Sequence, residues 1–562
     1  MKQPKLFLLA FVSLLLSCKQ APQYDLIIKN GLIFDGNGTE PVLTDIAIKS
    51  DTIAFIGNLK GKAALKTIDA NGMAVAPGFV NMLSWSTESL IEDGRSLGEI
   101  MQGVTLEVMG EGDSMGPMTD AMKDYSQKSQ GNLKYEIKWK TLGEYLEYLE
   151  KRGVSTNVAS FVGASTVRAM ELGYDNRPPK AEELERMKKH VKLAMEEGAM
   201  GVASALIYTP GTYADTHELI ELSKVASEYG GMYISHMRSE GNKLEEAVEE
   251  LITIAKEANI HAEIYHLKAA GKNNWYKIDK VISKIDSARK AGLNISADMY
   301  NYIAGATGLD AAMPPWVQEG GFDQWSKRLK SSSIRAKVGK EMSTPQNDWE
   351  NLCLAAGADK TLLIGFKQDS LRKYLGKTLA EVAAMKKKTW YETAMDLVVA
   401  DGSRVDVVYF LMNEDNIKKQ IQLPYMSFCS DAASMSASGV FLKSSSHPRA
   451  YGNFARLLAK YVREEQVITL QEAIRKLTSL PCDNLKIQKR GRLVVGNYAD
   501  IVIFDPNKIQ DKATFEKPHQ LAEGMLHVIV NGKQVVENGK HTGVKSGRFV
   551  KGPGWKKQKT SI

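Results

Sequence analysis

Short apolar runs alternate with amphipathic segments through most of the chain. The runs at 75–80, 104–109, 158–162, 201–206, 232–236, 262–266, 294–299 and 425–430 read as buried strands. Apolar residues recur at helical spacing in several of the gaps. In 182–197, for example, Leu184, Met187, Val191 and Met195 fall on one face. Eight strands alternating with helices predict an α/β fold, a (β/α)8 TIM-like barrel over 74–489. The stretch 303–424, with helical runs and a strand-like piece at 361–364, would be an insertion between strands seven and eight.

The two ends have a different texture. DLIIKNGLIFDG and DIAIKSDTIAFIG near the start, and ADIVIFDP and HVIVNGKQVVENGK near the end, read as antiparallel hairpins. Neither set has enough strands to bury a core alone. Residues 24–73 and 490–550 are therefore expected to build one small β-sandwich domain together.

Ahead of it, residues 1–18 read MKQPKLFLLAFVSLLLSC. Lys2 and Lys5 precede an apolar run over 6–16, which is too short to span a bilayer. The run ends at Ser17-Cys18, as in a bacterial lipoprotein signal peptide whose cysteine carries the lipid. An ordinary secretory signal with an incidental cysteine is the alternative. The expectation is an extracytoplasmic lipoprotein, in the periplasm or on the cell surface, that meets the membrane only through acyl chains at Cys18.

Composition narrows the partners. Of 562 residues 43% are hydrophobic and 25% charged, which excludes a disordered chain. The net charge of +7 is mild, and no basic stripe with interleaved aromatics supports nucleic-acid binding. Four scattered cysteines, at 18, 353, 429 and 482, make neither a disulfide scaffold nor a cysteine-based zinc knuckle. The oligomeric state is not written in these patterns.

In such a barrel, active-site side chains project from the C-terminal ends of strands. Strand five ends at His236, strand six at His266 with Lys268 just beyond, and strand eight at Asp431. Two imidazoles and a carboxylate on one barrel face make a divalent-metal site, with zinc the first choice. A metal there would acidify a bound water and polarise a carbonyl, while Asp431 would carry the proton to the leaving group. The competing reading of each histidine alone is a packed or capping residue.

The long ordered motifs LIIKNGLIFDGNG, VAPGFV, QGVTLEVMG, VRAMELGYDNRPP, GVASALIYTPGTYA, SHMRSEG, IYHLKAAG, SSSHPRAYGNFARLLAKYVREE and GNYADIVIFDP resemble the N-acyl-D-amino-acid deacylase (D-aminoacylase) branch of the amidohydrolase superfamily. The resemblance runs over about 25–555. It implies one tightly bound zinc held by His236 and His266, with Asp431 as the catalytic carboxylate. It also implies that Tyr208, Lys268 and Tyr300 hold a substrate carboxylate, a role suited to a lysine and two phenols.

The chain departs from that pattern in three places. Leu83 and Trp85 stand where the superfamily carries His-x-His after the first strand, and Asn81 stands for an aspartate. After strand two, Gly110-Glu111-Gly112-Asp113 replaces a cysteine-bearing turn. Glu111, with its longer arm, is the expected third ligand and Asp113 the alternative; oxygen in place of sulfur would ease exchange of zinc for another divalent metal. After strand three, Val162-Gly163-Ala164-Ser165 lacks a histidine of the relatives, with Arg168 a weak substitute. His447 is a candidate for the substrate entrance. Trp85 and Trp275 are expected in the core, with aromatic walls for an acyl group as the other reading.

Together these imply a metal-dependent hydrolase of the linear amide in N-acyl amino acids, small substrates bearing a free carboxylate, with the D configuration as the family expectation. The alternatives are a cyclic-amide hydrolase of the dihydropyrimidinase or dihydroorotase type, and a lipid-tethered binding protein on the same barrel.

Overall fold

A computed structural model describes residues 22–556. The signal over 1–18, with Cys18, lies outside these residues.

The central element is a barrel of parallel strands: β1 (Phe79–Asn81), β2 (Val104–Met109), β3 (Asn157–Ser160), β4 (Gly201–Ala205), β5 (Met232–His236), β6 (His261–Ile264), β7 (Ile295–Met299) and β8 (Met426–Phe428). The ladder β1-β2-β3 forms one sheet; β4 to β8, extended by Val162–Gly163 beside β4, form another. Two seams close the ring. Met200 N–H donates to Ser160 O at 2.9 Å between β3 and β4. Asp431 N–H donates to Leu83 O at 2.9 Å, beside a parallel bridge from Ser84 to Ala432, between β8 and β1. These strands are almost wholly buried, as expected where helices cover the outside and side chains fill the inside. Among the helices, Ala181–Glu197 turns Met187, Val191, Ala194 and Met195 inward.

Strands from both chain ends hydrogen-bond into one nine-stranded sheet. Ile501–Phe504 pairs with Ala74–Pro77, which in turn lies alongside Tyr24–Ile33. Ile28, Ile46, Ile53, Val75, Ile501 and Ile529 share its core.

Three features depart from the sequence expectation. The first apolar run is two strands: Ala74–Pro77 belongs to the end sheet, and the barrel strand starts only at Phe79. The break falls at Gly78, where a Cβ would sit 2.0 Å from Thr105 Oγ1, so the chain can pass between the two sheets only with glycine there. The run at 158–162 is likewise broken, into β3 and Val162–Gly163. The insertion holds three strands rather than one, an antiparallel sheet ordered Ala304–Gly308, Asp406–Phe410, Thr361–Gly365. The Ala304–Gly308 strand reads AGATG, with little intrinsic β preference, and is held by its pairing to Asp406–Phe410.

Candidate metal centre and substrate pocket

Glu111, His236 and His266 converge on one point at the C-terminal mouth of the barrel. Glu111 Oε1 lies 3.1 Å from His236 Nδ1 and 2.8 Å from His266 Nε2, and the two ring nitrogens are 3.1 Å apart. Three donors on a tetrahedral zinc, each about 2.0–2.1 Å from the ion, would stand about 3.3 Å from one another. The triangle is therefore close to the size such an ion requires. His266 sits beyond the end of β6 at φ 36°, and Asp431 beyond β8 at φ 47°. Both are left-handed conformations that a side-chain-bearing residue adopts at a cost, held here by surrounding bonds. Asp298 Oδ1 on β7 accepts from the His266 N–H at 2.7 Å.

Glu240, in the loop after β5, was not singled out by the sequence reading. Its Oε1 lies 2.9 Å from His266 Nδ1 and 2.5 Å from Lys268 Nζ, and its Oε2 lies 3.9 Å from His236 Nε2. One carboxylate thus lies on the outward side of both imidazoles, close to His266 Nδ1, which Lys268 Nζ also approaches at 2.7 Å, while His236 Nε2 has no hydrogen-bond partner among the described residues. Burial alone would raise the carboxyls of Glu240 and Glu111, yet Lys268 and the two imidazoles hold Glu240 far below the usual range, and the imidazoles do the same to Glu111. Burial and Lys268 would depress His266, but Glu240 and Glu111 push it up to about 10. This is a negatively biased cluster that takes up protons where a divalent cation would displace them. Glu240→Gln is expected to weaken metal affinity about 10–100-fold, read by chelator competition.

Asp431 faces the same mouth. Its Oδ1 accepts from Trp85 Nε1 at 3.1 Å, and its Oδ2 lies 2.8 Å from Arg449 Nη1. Burial raises its pKa against the pull of Arg449. The Arg449 guanidinium stacks 4.3 Å above the Tyr300 ring, and its buried Nε has no partner among the described residues. Lys268 Nζ lies 5.6 Å from the same ring. Arg449, Lys268 and Tyr300 therefore form one cationic, hydrogen-bonding corner. Sequence reasoning missed Arg449, although it stands in the SSSHPRAYG motif; nothing local marks it off from any other helix-start arginine.

Other candidates are placed differently. Tyr208 lines the pocket 5.3 Å from the His236 ring, and its hydroxyl donates to Thr307 Oγ1 of the insertion at 2.7 Å. His447 borders the pocket with both ring nitrogens engaged: Nε2 donates to Ala304 O at 2.9 Å, and Nδ1 accepts from Arg449 N–H at 3.0 Å. These two bonds tie His447 to the insertion and to the start of the Arg449 helix. Tyr302 packs on His447 and Arg456, which leaves Tyr300 as the pocket tyrosine. Asp113 lines the pocket outside the ligand triangle. Trp85 is not core but 38% exposed on the pocket wall, because its indole is drawn to Asp431. Trp275 donates to Leu411 O at 2.7 Å, a structural contact. Arg168 faces away, fully buried in an ion pair with Glu218 and bonded to the Arg177 carbonyl. It cannot serve the reacting carbonyl; Arg168→Ala, which strands a buried carboxylate, should cost about 3–5 kcal/mol in denaturant unfolding.

The pocket over this cluster has a volume of about 1050 Å³ and is walled by both barrel loops and the insertion.

Residues 444–536 match the Amidohydrolase family. The chain is 29% identical over 540 residues to D-aminoacylase of Alcaligenes xylosoxydans xylosoxydans, covering 95% of this chain and 99% of that one. It is 28% identical over 509 residues to N-acyl-D-glutamate deacylase of the same organism, covering 90% and 93%. The crystal structure of N-acyl-D-glutamate deacylase from Bordetella bronchiseptica, complexed with zinc and a phosphonate inhibitor that mimics the tetrahedral intermediate, superposes with a TM-score of 0.78 at 27% identity, covering 94% and 99%. The chain is a homologue of the D-aminoacylases and N-acyl-D-amino-acid deacylases, built on the amidohydrolase barrel.

Proposed function

We propose that the protein is a zinc-dependent amidohydrolase that cleaves the linear amide of N-acyl-D-amino acids, giving a carboxylic acid and an amino acid. The observation that carries this reading is the triangle of Glu111, His236 and His266 within reach of one ion, at the same barrel mouth as Asp431. When bound, zinc would polarise the amide carbonyl and lower the pKa of the attacking water.

The chain's own residues supply the rest. Arg449, Lys268 and Tyr300 fix the substrate carboxylate, the guanidinium by a forked pair of bonds and the ammonium as a point charge. Lys268 remains cationic, because Glu240 raises its pKa against burial. Asp431, biased toward holding a proton by burial, takes one from water and delivers it to the departing nitrogen. Water thus adds across the C–N bond, hydroxyl to the acyl carbon and hydrogen to the amine. Arg449→Lys is expected to raise KM about 10-fold or more with a smaller effect on kcat, since the fork is lost and the charge kept.

The cyclic-amide reading is not favoured. At β1, Leu83 is fully buried and Trp85 is bonded to Asp431, and neither side chain can ligate a second ion. The deciding assay pairs metal analysis with hydrolysis of matched D and L N-acyl amino acids. About one zinc per chain with turnover of the D series supports the proposal; metal-free protein with no turnover in either series sinks it.

The N-terminal signal supports placing this activity outside the cytoplasm, on a lipid anchor at Cys18. Cys18→Ala should move the protein from the membrane fraction to the soluble fraction; an unchanged membrane fraction would refute the anchor.

A further inference from the structure

The main pocket is continuous with a side chamber of about 380 Å³, the two sharing Trp85, Leu133, Met435 and Phe441. Thr87, Ser89, Ser114, Met115 and Ala433 also line the chamber, whose exposed wall is predominantly apolar. Two acids, Glu88 and Asp113, also reach it and, like the four shared apolar residues, line the main pocket too. Glu88 Oε1 is engaged there by the Tyr135 hydroxyl at 2.6 Å.

The chamber's position relative to the reacting groups gives it a direction. Asp431 is bracketed by Trp85 on one carboxylate oxygen and Arg449 on the other. Beyond Arg449 come Tyr300 and Lys268, the corner that suits a carboxylate. An amide held at Asp431 with its carboxylate in that corner sends its acyl group the other way, past Trp85. Trp85 occupies a position where the family pattern has a metal ligand, so the residue that removes the ligand also supplies an apolar wall.

We propose that this chamber is an acyl subsite that takes a medium-length apolar chain, so that the preferred substrates carry an acyl group well beyond acetyl, such as hexanoyl. The inference rests on the amidohydrolase reading above and adds the acyl class. An acetyl group has three heavy atoms and leaves the chamber empty, whereas a longer chain moves its methylenes from water onto Met115, Leu133, Met435 and Phe441. Each buried methylene is worth about four-fold, so four of them should favour hexanoyl over acetyl by on the order of 100-fold in kcat/KM.

The test uses the zinc-loaded full-length protein with N-acetyl and N-hexanoyl forms of the same D-amino acid, and the substitutions Leu133→Trp and Met435→Trp, which fill the chamber. The hexanoyl-to-acetyl ratio should be far above one in the parent and fall at least ten-fold in a filled variant that keeps the parent's circular dichroism. A parent ratio at or below one overturns the acyl subsite while leaving the hydrolase reading intact. If no acyl form turns over, the hydrolase reading fails, and calorimetric binding of the free acids decides the subsite alone. Hexanoate binding more tightly than acetate, and losing that advantage in a filled variant, supports it; equal binding overturns it.

Discussion

Glu111→Ala is expected to leave the purified protein without stoichiometric zinc and to reduce kcat/KM by on the order of 10³-fold or more. Several kcal/mol of transition-state stabilisation depend on the ion, and each 1.36 kcal/mol is a factor of ten. Glu111 Oε1 is the atom on which both imidazoles converge, at 3.1 and 2.8 Å, so its removal breaks two edges of the triangle at once. It also leaves two buried imidazoles beside Lys268 with Glu240 but without Glu111 to balance them. Metal content by mass spectrometry on the folded variant is the direct reading. Full zinc occupancy in Glu111→Ala would assign the third ligand elsewhere, with Asp113 the nearest alternative in sequence.

The second large effect falls on turnover without metal loss. Asp431→Asn should lower kcat by about 10²–10⁴-fold, the range for removing a positioned general acid–base, while zinc content stays at the parent level. The asparagine can still accept from Trp85 Nε1, so the wall of the acyl chamber is kept. What is lost is the proton carrier and the negative partner of Arg449. A variant that loses its zinc as well would make Asp431 a ligand. One that keeps near-parental kcat would move the proton transfer to another group, with Glu240 the first to examine.

The contrast between these variants follows from two kinds of strand end. The histidines are legible in sequence because His236 and His266 each close an apolar run, a place where a packed strand has no need of an imidazole. Asp431 is legible in the same way after β8. Glu240 and Arg449 are not, because each acts through a contact made across the barrel: Glu240 on His266 and Lys268 of the next strand's loop, and Arg449 on Asp431 and Tyr300. Nothing in the local spacing of either residue differs from that of a solvated surface charge. Trp85 misled for the complementary reason. An indole next to an apolar strand reads as core, and only the position of Asp431 draws its N–H into the pocket.

By itself the sequence determined the architecture, because period-two and period-3.6 burial is a local property: a run of buried residues must be a strand or an amphipathic helix wherever it lies. It also determined the inventory of chemistry, two imidazoles and several carboxylates with no first-strand histidines. The tertiary structure alone decided which atoms meet. It split the first apolar run at Gly78, turned the Tyr208 hydroxyl to Thr307 and spent both nitrogens of His447 on backbone. It also set one carboxylate behind both imidazoles. The physical reason is range. Most backbone conformation and hydrophobic burial follow from patterns within a few residues, Ala304–Gly308 with its distant pairing apart, whereas a charge finds its partner through space, at distances that closing the barrel fixes and the order of residues does not.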